Sequence, residues 1–339
     1  MTKRISIIVP VYNDAKNLAE CVSALKASAG ADTEIIVVDD ASTDDTAAAA
    51  RAMGVRVLDM PKNGGPGAAR NYGAAQVQGD IVFFVDADVV VASDALGRVR
   101  RAFEDDPKLG AVFGSYDDSP RAPGVVSQYR NLLHHFTHQQ ARTEASTFWA
   151  GCGAVRRSVF EAVNGFDGTR FARPSIEDID LGVRMRQAGY RILLDRRMQG
   201  THLKRWDLRS MIWTDVTRRA APWARLVLEN KDLPNDLNLK RGQRVSVALV
   251  GLLCVVLPLA IVWAKLLVVA AAAVTLVLVI NRDLFAFFLR RRGAFFALAC
   301  VPLHLLFFLY SGLTFLVVLI GMRVKRPFRA NRALAGGAR

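Results

Sequence analysis

The sequence predicts an α/β domain with a mainly parallel sheet, followed by transmembrane helices at the carboxyl terminus. The first observation is that short apolar segments alternate with amphipathic helical segments over the first hundred residues. This alternation is typical of a parallel sheet with helices on both faces. The second observation is a change of composition near Arg244, after which the chain is almost uncharged over long stretches.

The amino-terminal part contains four predicted strands and three predicted helices. Runs of β-branched and aromatic residues predict the strands, and apolar residues three or four positions apart predict the helices. Proline in the first turn, as at Pro66, is also a common helix start. In chain order, the predicted strands are Ile5–Val11, Glu34–Val38, Val55–Leu58 and Ile81–Val85, and the predicted helices are Ala15–Ala27, Pro66–Val77 and Ala92–Phe103.

The motif Asp86-Ala87-Asp88 directly follows the predicted strand Ile81–Val85. The carboxyl ends of strands are where open α/β sheets bind ligands. Two carboxylates at that edge need a positive partner, and Mg²⁺ or Mn²⁺ prefers oxygen ligands of this kind. We therefore expect a divalent cation that bridges the aspartates to a diphosphate. A turn with two solvated aspartates is the alternative, and the motif alone favours it.

Two further strands place polar residues at the same edge of the sheet. The first ends in Val9-Pro10-Val11-Tyr12-Asn13, and the second ends in Val38-Asp39-Asp40. A carboxylate there can accept a hydrogen bond from a base or a ribose, which indicates a nucleotide site. Ser42 or Thr43 is expected to cap the helix that follows, and this role leaves Asp39 available.

A glycine-rich segment, Lys62-Asn63-Gly64-Gly65, precedes the predicted helix Pro66–Val77. Glycines let a backbone approach a ligand closely, and a helix start offers N–H groups to anions. Arg70 lies about one turn into the helix, where we expect it to reach a phosphate or a base. The segment lacks the Gly-Lys-Ser/Thr ending of a P-loop, and an ordinary glycine turn is the alternative.

Two more segments carry candidate catalytic groups. Glu177-Asp178-Ile179-Asp180 opens a helix, where carboxylates are favourable for the helix dipole alone. The functional interpretation is that Asp178 acts as a general base on an acceptor hydroxyl. Further along the chain, His202 is a candidate metal ligand and Arg205 a candidate phosphate contact. A structural histidine is the alternative for His202.

Together these motifs resemble the family 2 glycosyltransferases, which have the GT-A fold, a Rossmann-like arrangement. The resemblance also includes Gly151-Cys152-Gly153 and Gly165-Phe166-Asp167, and it extends from about Ile5 to Trp206. It implies an inverting transfer of a sugar from a nucleotide-diphosphate donor, most commonly a UDP-sugar, with Mg²⁺ or Mn²⁺ as cofactor.

The motifs and the resemblance together assign roles to individual residues. Asp178 would be the catalytic base, with Glu177 beside it, and Asp88 and His202 would bind the metal. The donor would be bound by the other candidates, which are Pro10, Tyr12, Asp39, Asn63, Arg70, Asp86, Arg205 and Trp206.

One motif departs from the family's processive members, which carry Gln-x-x-Arg-Trp. This chain has histidine in place of the glutamine, in His202-Leu203-Lys204-Arg205-Trp206. Few predicted membrane segments also argue against a translocating channel. We therefore predict a non-processive enzyme, with a processive polysaccharide synthase as the alternative. A nucleotidyltransferase and a non-catalytic membrane scaffold with a degenerate transferase domain are alternatives from other classes.

The carboxyl-terminal third predicts membrane insertion. Residues 245–262, 266–280 and 295–322 are apolar, and a spanning helix needs about 20 such residues. The basic loop at 290–292 and the basic tail favour the cytoplasmic side. We expect two to four spans in the cytoplasmic membrane, with the catalytic domain facing the cytoplasm. The segment 206–243 mixes tryptophans with arginines and is expected to lie in the membrane interface.

The predicted organisation is a glycosyltransferase domain at 1–205, the interfacial segment at 206–243, transmembrane helices at 244–322 and a basic tail at 323–339. The formal net charge of +14 agrees with a membrane surface or a phosphorylated partner. No nucleic-acid motif accompanies this charge, so nucleic acid is not expected as a partner. The expected partners are a nucleotide sugar, the membrane, and a lipid-linked or cell-envelope glycan acceptor.

Overall fold

The computed structural model describes residues 4–229 and 241–335. The chain divides into two compact units, Met1–Trp206 and Asp207–Arg339. The predicted interfacial segment therefore lies partly outside the described residues, at 230–240, and so does the end of the predicted basic tail, at 336–339. The predicted domain limits remain predictions.

The first unit is built on one eight-stranded sheet. Every residue of its first and fourth strands is buried, as expected for strands that are covered on both faces. The strands are β1 (Ile5–Val11), β2 (Thr33–Asp39), β3 (Arg56–Asp59), β4 (Ile81–Val85), β5 (Val89–Val91), β6 (Leu109–Tyr116), β7 (Cys152–Arg156) and β8 (Arg191–His202).

The strand order in the sheet is β3-β2-β1-β4-β7-β6-β8-β5. The first four of these strands are parallel, and β6 is parallel to β8. β7 lies antiparallel between β4 and β6, and β5 is antiparallel to β8. The predicted α/β class with a mainly parallel sheet is confirmed. The half of the sheet that the sequence analysis did not assign is mixed.

Helices flank this sheet. They are α1 (Ala15–Ser28), α2 (Thr46–Ala52), α3 (Pro66–Ala74), α4 (Ala95–Asp105), α5 (Val125–Gln139), α6 (Arg157–Ala162) and α7 (Glu177–Gln187). The predicted cap of α2 is wrong, because Asp45 stands at the cap position and makes no side-chain capping bond. Ser42 and Thr43 instead accept hydrogen bonds from Asn13, with which they fix the ends of β1 and β2.

The second unit is helical. Its elements are α8 (Leu208–Thr214), a π-helix (Asp215–Ala220), α9 (Ala221–Glu229), α10 (Arg241–Ala260), α11 (Leu266–Ile280) and α12 (Arg282–Ala335). Gly293 interrupts α12 with a non-helical backbone at φ 81°. Arg241–Ala260 and Arg282–Arg323 are long and apolar enough to cross a bilayer, whereas α11 is shorter. These two apolar helices are candidate membrane spans.

Buried polar contacts hold the helices of the second unit to one another. The hydroxyl of Tyr310 in α12 donates to Asp215 of the π-helix, at 2.7 Å. Asn281 Nδ2 donates to Ser246 Oγ of α10, at 3.1 Å. Hydrogen bonds of this kind between apolar helices are common in membrane bundles.

Candidate active site

Arg70 joins three elements at the carboxyl edge of the sheet. Its side chain is 4% exposed, with Nη2 lying 2.6 Å from Asp86 Oδ1 and Nη1 lying 3.1 Å from Glu177 Oε1. Asp86 directly follows β4, Arg70 lies in α3, and Glu177 opens α7. One guanidinium therefore fixes the end of β4 against the start of α7.

These contacts bear on two predicted roles, the donor contact of Arg70 and the catalytic role of Glu177, which stay predictions. We expected Arg70 to reach the donor, but its guanidinium binds two protein carboxylates and is buried by them. We expected Glu177 in the catalytic step, but Oε1 accepts from Arg70 and Oε2 accepts from the backbone N–H of Ser175, at 2.8 Å. A carboxylate whose two oxygens are both bonded in this way is placed to position its neighbours.

Asp178 lies beside this ion-paired group and is half-buried. Its Oδ2 accepts from the backbone N–H of Ala150 at 3.1 Å, and Oδ1 accepts from that of Ile179 at 2.8 Å. Burial and the negative charge of Glu177 raise the pKa of Asp178 to about 7, against the opposing effect of Arg70. A carboxylate with such a pKa is suited to take up a proton near neutral pH.

The two predicted metal ligands lie next to each other. β5 pairs with β8 so that Val89 lies opposite His202, and this register places His202 Nε2 at 3.3 Å from Asp88 Oδ2. Burial opposes ionisation of Asp88, but the positive charge that His202 carries when protonated, together with Lys204, outweighs burial and lowers the pKa of that carboxyl. The structure therefore brings one carboxylate oxygen and one imidazole nitrogen within 3.3 Å of each other.

The Asp88–His202 pair fits a divalent cation as two of its ligands. Two neighbouring ligands of an octahedral ion, each at about 2.1 Å, lie about 3 Å apart, close to the spacing of this pair. Within residues 4–229 and 241–335, no group of three or more His, Cys, Asp or Glu side chains is arranged to hold a metal. Mg²⁺ commonly takes its other ligands from water and substrate phosphates.

Asp39 is the predicted nucleotide ligand at the end of β2, and it is buried. Its Oδ2 accepts from the backbone N–H of Ser42 at 3.0 Å. Its Oδ1 is buried and has no hydrogen-bond partner among the described residues. A buried carboxylate oxygen without a donor is costly, so this atom is suited to accept a hydrogen bond from a ligand.

Asp40 has a role in the site that the sequence analysis missed. Its carboxylate accepts from the backbone N–H groups of Gly64, at 2.7 Å, and Gly65, at 2.8 Å. Asn63, a predicted donor ligand, donates to the carbonyl oxygen of Asp40 at 3.2 Å. Asp40 therefore holds the glycine-rich segment against the end of β2. The only signal in the sequence was the doubled aspartate at the end of the strand.

The four remaining predicted donor residues differ in their exposure. Pro10 is buried in β1, whereas Tyr12 just beyond it is 48% exposed. Arg205 is exposed. Trp206 is buried, its backbone N–H and carbonyl both bond to Ser127 of α5, and Lys204 Nζ lies 4.5 Å from its ring centroid. Donor contacts by these four residues stay predictions.

Comparisons with known proteins agree with this architecture. Residues 6–163 match glycosyl transferase family 2, and residues 130–205 match a family described as the N-terminal domain of galactosyltransferase. A pre-mycofactocin glycosyltransferase of Mycobacterium tuberculosis is 30% identical over 221 residues, which cover 61% of this chain and 44% of the relative. A poly-beta-1,6-N-acetyl-D-glucosamine synthase of Staphylococcus aureus is 29% identical over 201 residues, which cover 56% and 47%.

The chain thus spans less than half the length of these curated relatives. Among solved structures, the mannosyltransferase PcManGT of Pyrobaculum calidifontis, in complex with GDP-Man and Mn²⁺, matches with a TM-score of 0.60 at 18% identity. The match covers 93% of this chain and 88% of that one, and it confirms the predicted GT-A fold. The amino-terminal part of the chain, residues 6–163, is thus similar to glycosyl transferase family 2.

Proposed function

We propose that the chain is an inverting, non-processive glycosyltransferase that moves a sugar from a nucleotide-diphosphate donor to a membrane-associated acceptor. The observation that carries this proposal is the direct contact of Asp86 and Glu177 with Arg70, because it sets Asp178 beside the end of β4. A base with a pKa of about 7 then lies beside the end of β4, the strand that the candidate cation ligand Asp88 follows.

A single in-line displacement accounts for the inversion. The acceptor oxygen attacks the anomeric carbon while the bond from that carbon to the diphosphate oxygen breaks. The acceptor proton goes to Asp178, which accepts backbone hydrogen bonds that hold its carboxylate in place. The leaving group departs as a nucleoside diphosphate.

Different residues hold the donor at different points. Oδ1 of Asp39, which has no hydrogen-bond partner in the part of the chain that the structure describes, is available to the base or the ribose. Asp88 with His202 binds the divalent cation. The cation, when bound, stabilises the charge on the departing diphosphate. Arg205 is exposed and available to a phosphate. Arg70 and Glu177 act indirectly, by positioning Asp86 and the start of α7.

The second unit supports the proposed acceptor and the proposed membrane location. Two long apolar helices support insertion in the cytoplasmic membrane, and Trp213 of α8, which is 65% exposed, supports contact with the interface. The predicted basic loop is helical, and its residues Arg290–Arg292, which directly precede the break in α12 at Gly293, favour a cytoplasmic catalytic unit. An acceptor carried on a lipid or in a cell-envelope glycan would then be within the same membrane.

The test is a screen of nucleotide sugars for release of nucleoside diphosphate by the full chain, with and without Mn²⁺. UDP-sugars are included because the family most commonly uses them, and GDP-mannose because PcManGT binds it. We expect Asp88→Ala to abolish Mn²⁺-dependent donor binding. We expect Asp178→Asn to keep donor binding and lower transfer by about 10²–10⁴-fold.

Each rival function predicts a different product. Unchanged donor affinity in Asp88→Ala would show that Asp88 does not bind the cation. Release of inorganic diphosphate would indicate a nucleotidyltransferase. A scaffold would show no turnover of any donor. The similarity to the polysaccharide synthase favours the processive alternative, which would be recognised by products that carry many sugars per acceptor.

A further inference from the structure

His202 is held on three sides by groups of the first unit. Its Nδ1 lies 2.6 Å from Asn131 Oδ1 of α5. Its ring stacks on Tyr116 of β6, with centroids 4.3 Å apart and an interplanar angle of 12°. Its Nε2 faces Asp88 Oδ2 at 3.3 Å. His202 and Asn131 are both buried, so neither exchanges these partners for water.

The contact with Asn131 sets the proton of the ring. A side-chain amide oxygen only accepts hydrogen bonds, so the short contact places the proton on Nδ1. In the neutral ring, Nε2 then presents a lone pair towards the carboxylate of Asp88. Two electron-rich atoms face each other at that point, an arrangement that a cation between them stabilises. Metal-binding histidines commonly donate their other N–H to an oxygen in this way.

The opposite orientation of the amide would give a different site. If the nitrogen of Asn131 donated to Nδ1, the proton would lie on Nε2 and would bond directly to Asp88. His202 would then have no lone pair for a metal. In the observed orientation, Asn131 Nδ2 is buried without a hydrogen-bond partner among the described residues. An apolar residue of similar size would avoid that cost, so packing alone does not account for an asparagine.

We propose that Asn131 is a positioning residue, which holds His202 in the Nδ1-protonated tautomer so that Nε2 and Asp88 together bind the divalent cation. Tyr116 stacks on the ring of His202 and keeps that ring in the plane that cation binding by Nε2 requires. The inference rests on the proposed function, since it concerns the cation of the same reaction. It adds a residue for which the sequence analysis assigned no role.

The test measures Mn²⁺ affinity in the full-length, detergent-solubilised protein without donor, from the electron paramagnetic resonance signal of free Mn²⁺. We expect Asn131→Leu to bind Mn²⁺ about 10- to 100-fold more weakly, the usual effect of losing such a partner. Asn131→Asp keeps an acceptor for Nδ1–H and is expected to stay within about threefold of the unsubstituted protein. Asn71→Leu is the matched control, because the side chain of Asn71 bonds to the backbone of Phe166 and, within the described residues, to neither candidate metal ligand.

A second readout reports the tautomer itself. In protein labelled with ¹⁵N-histidine, the signals of His202 are those lost in His202→Gln. We expect its proton on Nδ1 in both the unsubstituted protein and Asn131→Asp. A neutral ring with its single proton on Nε2 in the unsubstituted protein would overturn the inference, and this measurement decides the matter if Asn131→Leu does not fold.

The two proposals fail in different ways. If the unsubstituted protein binds no Mn²⁺, the proposed cation site fails and this inference fails with it. If Asp88→Ala abolishes Mn²⁺ binding while folded Asn131→Leu binds as tightly as the unsubstituted protein, the cation site stands and only the role of Asn131 is overturned. Equal weakening in Asn131→Leu and Asn131→Asp would also contradict it.

Discussion

At the scale of single residues, the environment of Asp178 makes activity depend on pH. Burial and Glu177 raise its pKa to about 7, and only the deprotonated carboxylate accepts a proton. We therefore expect the transfer rate at saturating donor to rise as the pH increases from 5 to 7, and to level off above about pH 8. The measurement is the initial rate of nucleoside diphosphate release across this range.

Glu177 provides the matched variant for this pH profile. Glu177→Gln removes the neighbouring negative charge that raises the pKa of Asp178. We expect the acidic limb of the profile to move to lower pH in this variant. A limb at the same pH in both proteins would show that another group sets the profile.

Arg70 is expected to determine stability as well as position. Removing one partner of a buried ion pair leaves the other charge uncompensated, which typically costs about 3–5 kcal/mol. Arg70→Met would leave both Asp86 and Glu177 without their cation, so we expect a large loss of unfolding free energy. The measurement is the unfolding transition of the full chain, followed by tryptophan fluorescence in denaturant.

Arg51→Met is the control for that loss. Arg51 pairs with Asp59, and both side chains are about half exposed, at 52% and 53%. Pairs at such positions contribute about 0–1 kcal/mol. Equal destabilisation by the two substitutions would contradict the assignment of Arg70 as the residue that joins β4, α3 and α7.

At the scale of elements, the turn before α3 depends on the absence of a side chain. Gly65 has φ 84°, and a Cβ there would lie 2.8 Å from the carbonyl oxygen of Ala172. Gly54 has φ 66°, and a Cβ added to it would meet no other atom within 4 Å among the described residues. Alanine at either position carries the strain of a left-handed backbone, roughly 1–2 kcal/mol, but only at Gly65 does it also collide.

We therefore expect Gly65→Ala to destabilise the protein at least about twice as much as Gly54→Ala. The Gly65 variant should also bind donor more weakly, because Asp40 holds the same turn through the N–H groups of Gly64 and Gly65. Denaturant midpoints and donor titrations of both variants are the measurements. Equal effects of the two alanines would mean that the turn has room to move.

The sequence predicts the elements of the site better than their contacts. β1 and β4 have the predicted bounds, because strands buried on both faces are continuous apolar runs that end at polar residues. The antiparallel insertion of β7 beside β4 leaves no such local pattern. The protein partners of Arg70 could not be predicted for the same reason, since Glu177 is 107 positions away. Only tertiary structure brings these residues together.

At the scale of the whole molecule, the second unit exposes a large apolar surface. Val255, Leu257, Val317 and Ile320 are each about half exposed or more, at 58%, 49%, 69% and 60%. Contiguous apolar surfaces of this kind on a soluble protein indicate an interaction with a membrane or a partner. Their position on two long apolar helices favours lipid.

Cys254 allows this conclusion to be tested without altering the apolar helices. It lies in α10 and is exposed, whereas the cysteines at 21, 152 and 300 are buried. If α10 crosses the bilayer, its thiol faces lipid, where a charged maleimide does not enter and few thiolates form. In opened membranes, which give the reagent access to both faces, we expect Cys254 to label at least about tenfold more slowly than a water-exposed thiol.

Ala188→Cys supplies that reference, because Ala188 is exposed at the end of α7, and denaturation in detergent should make every cysteine reactive. Labelling of Cys254 at the rate of the reference cysteine would show that α10 faces water, and the proposal of a membrane-associated acceptor would lose its structural support.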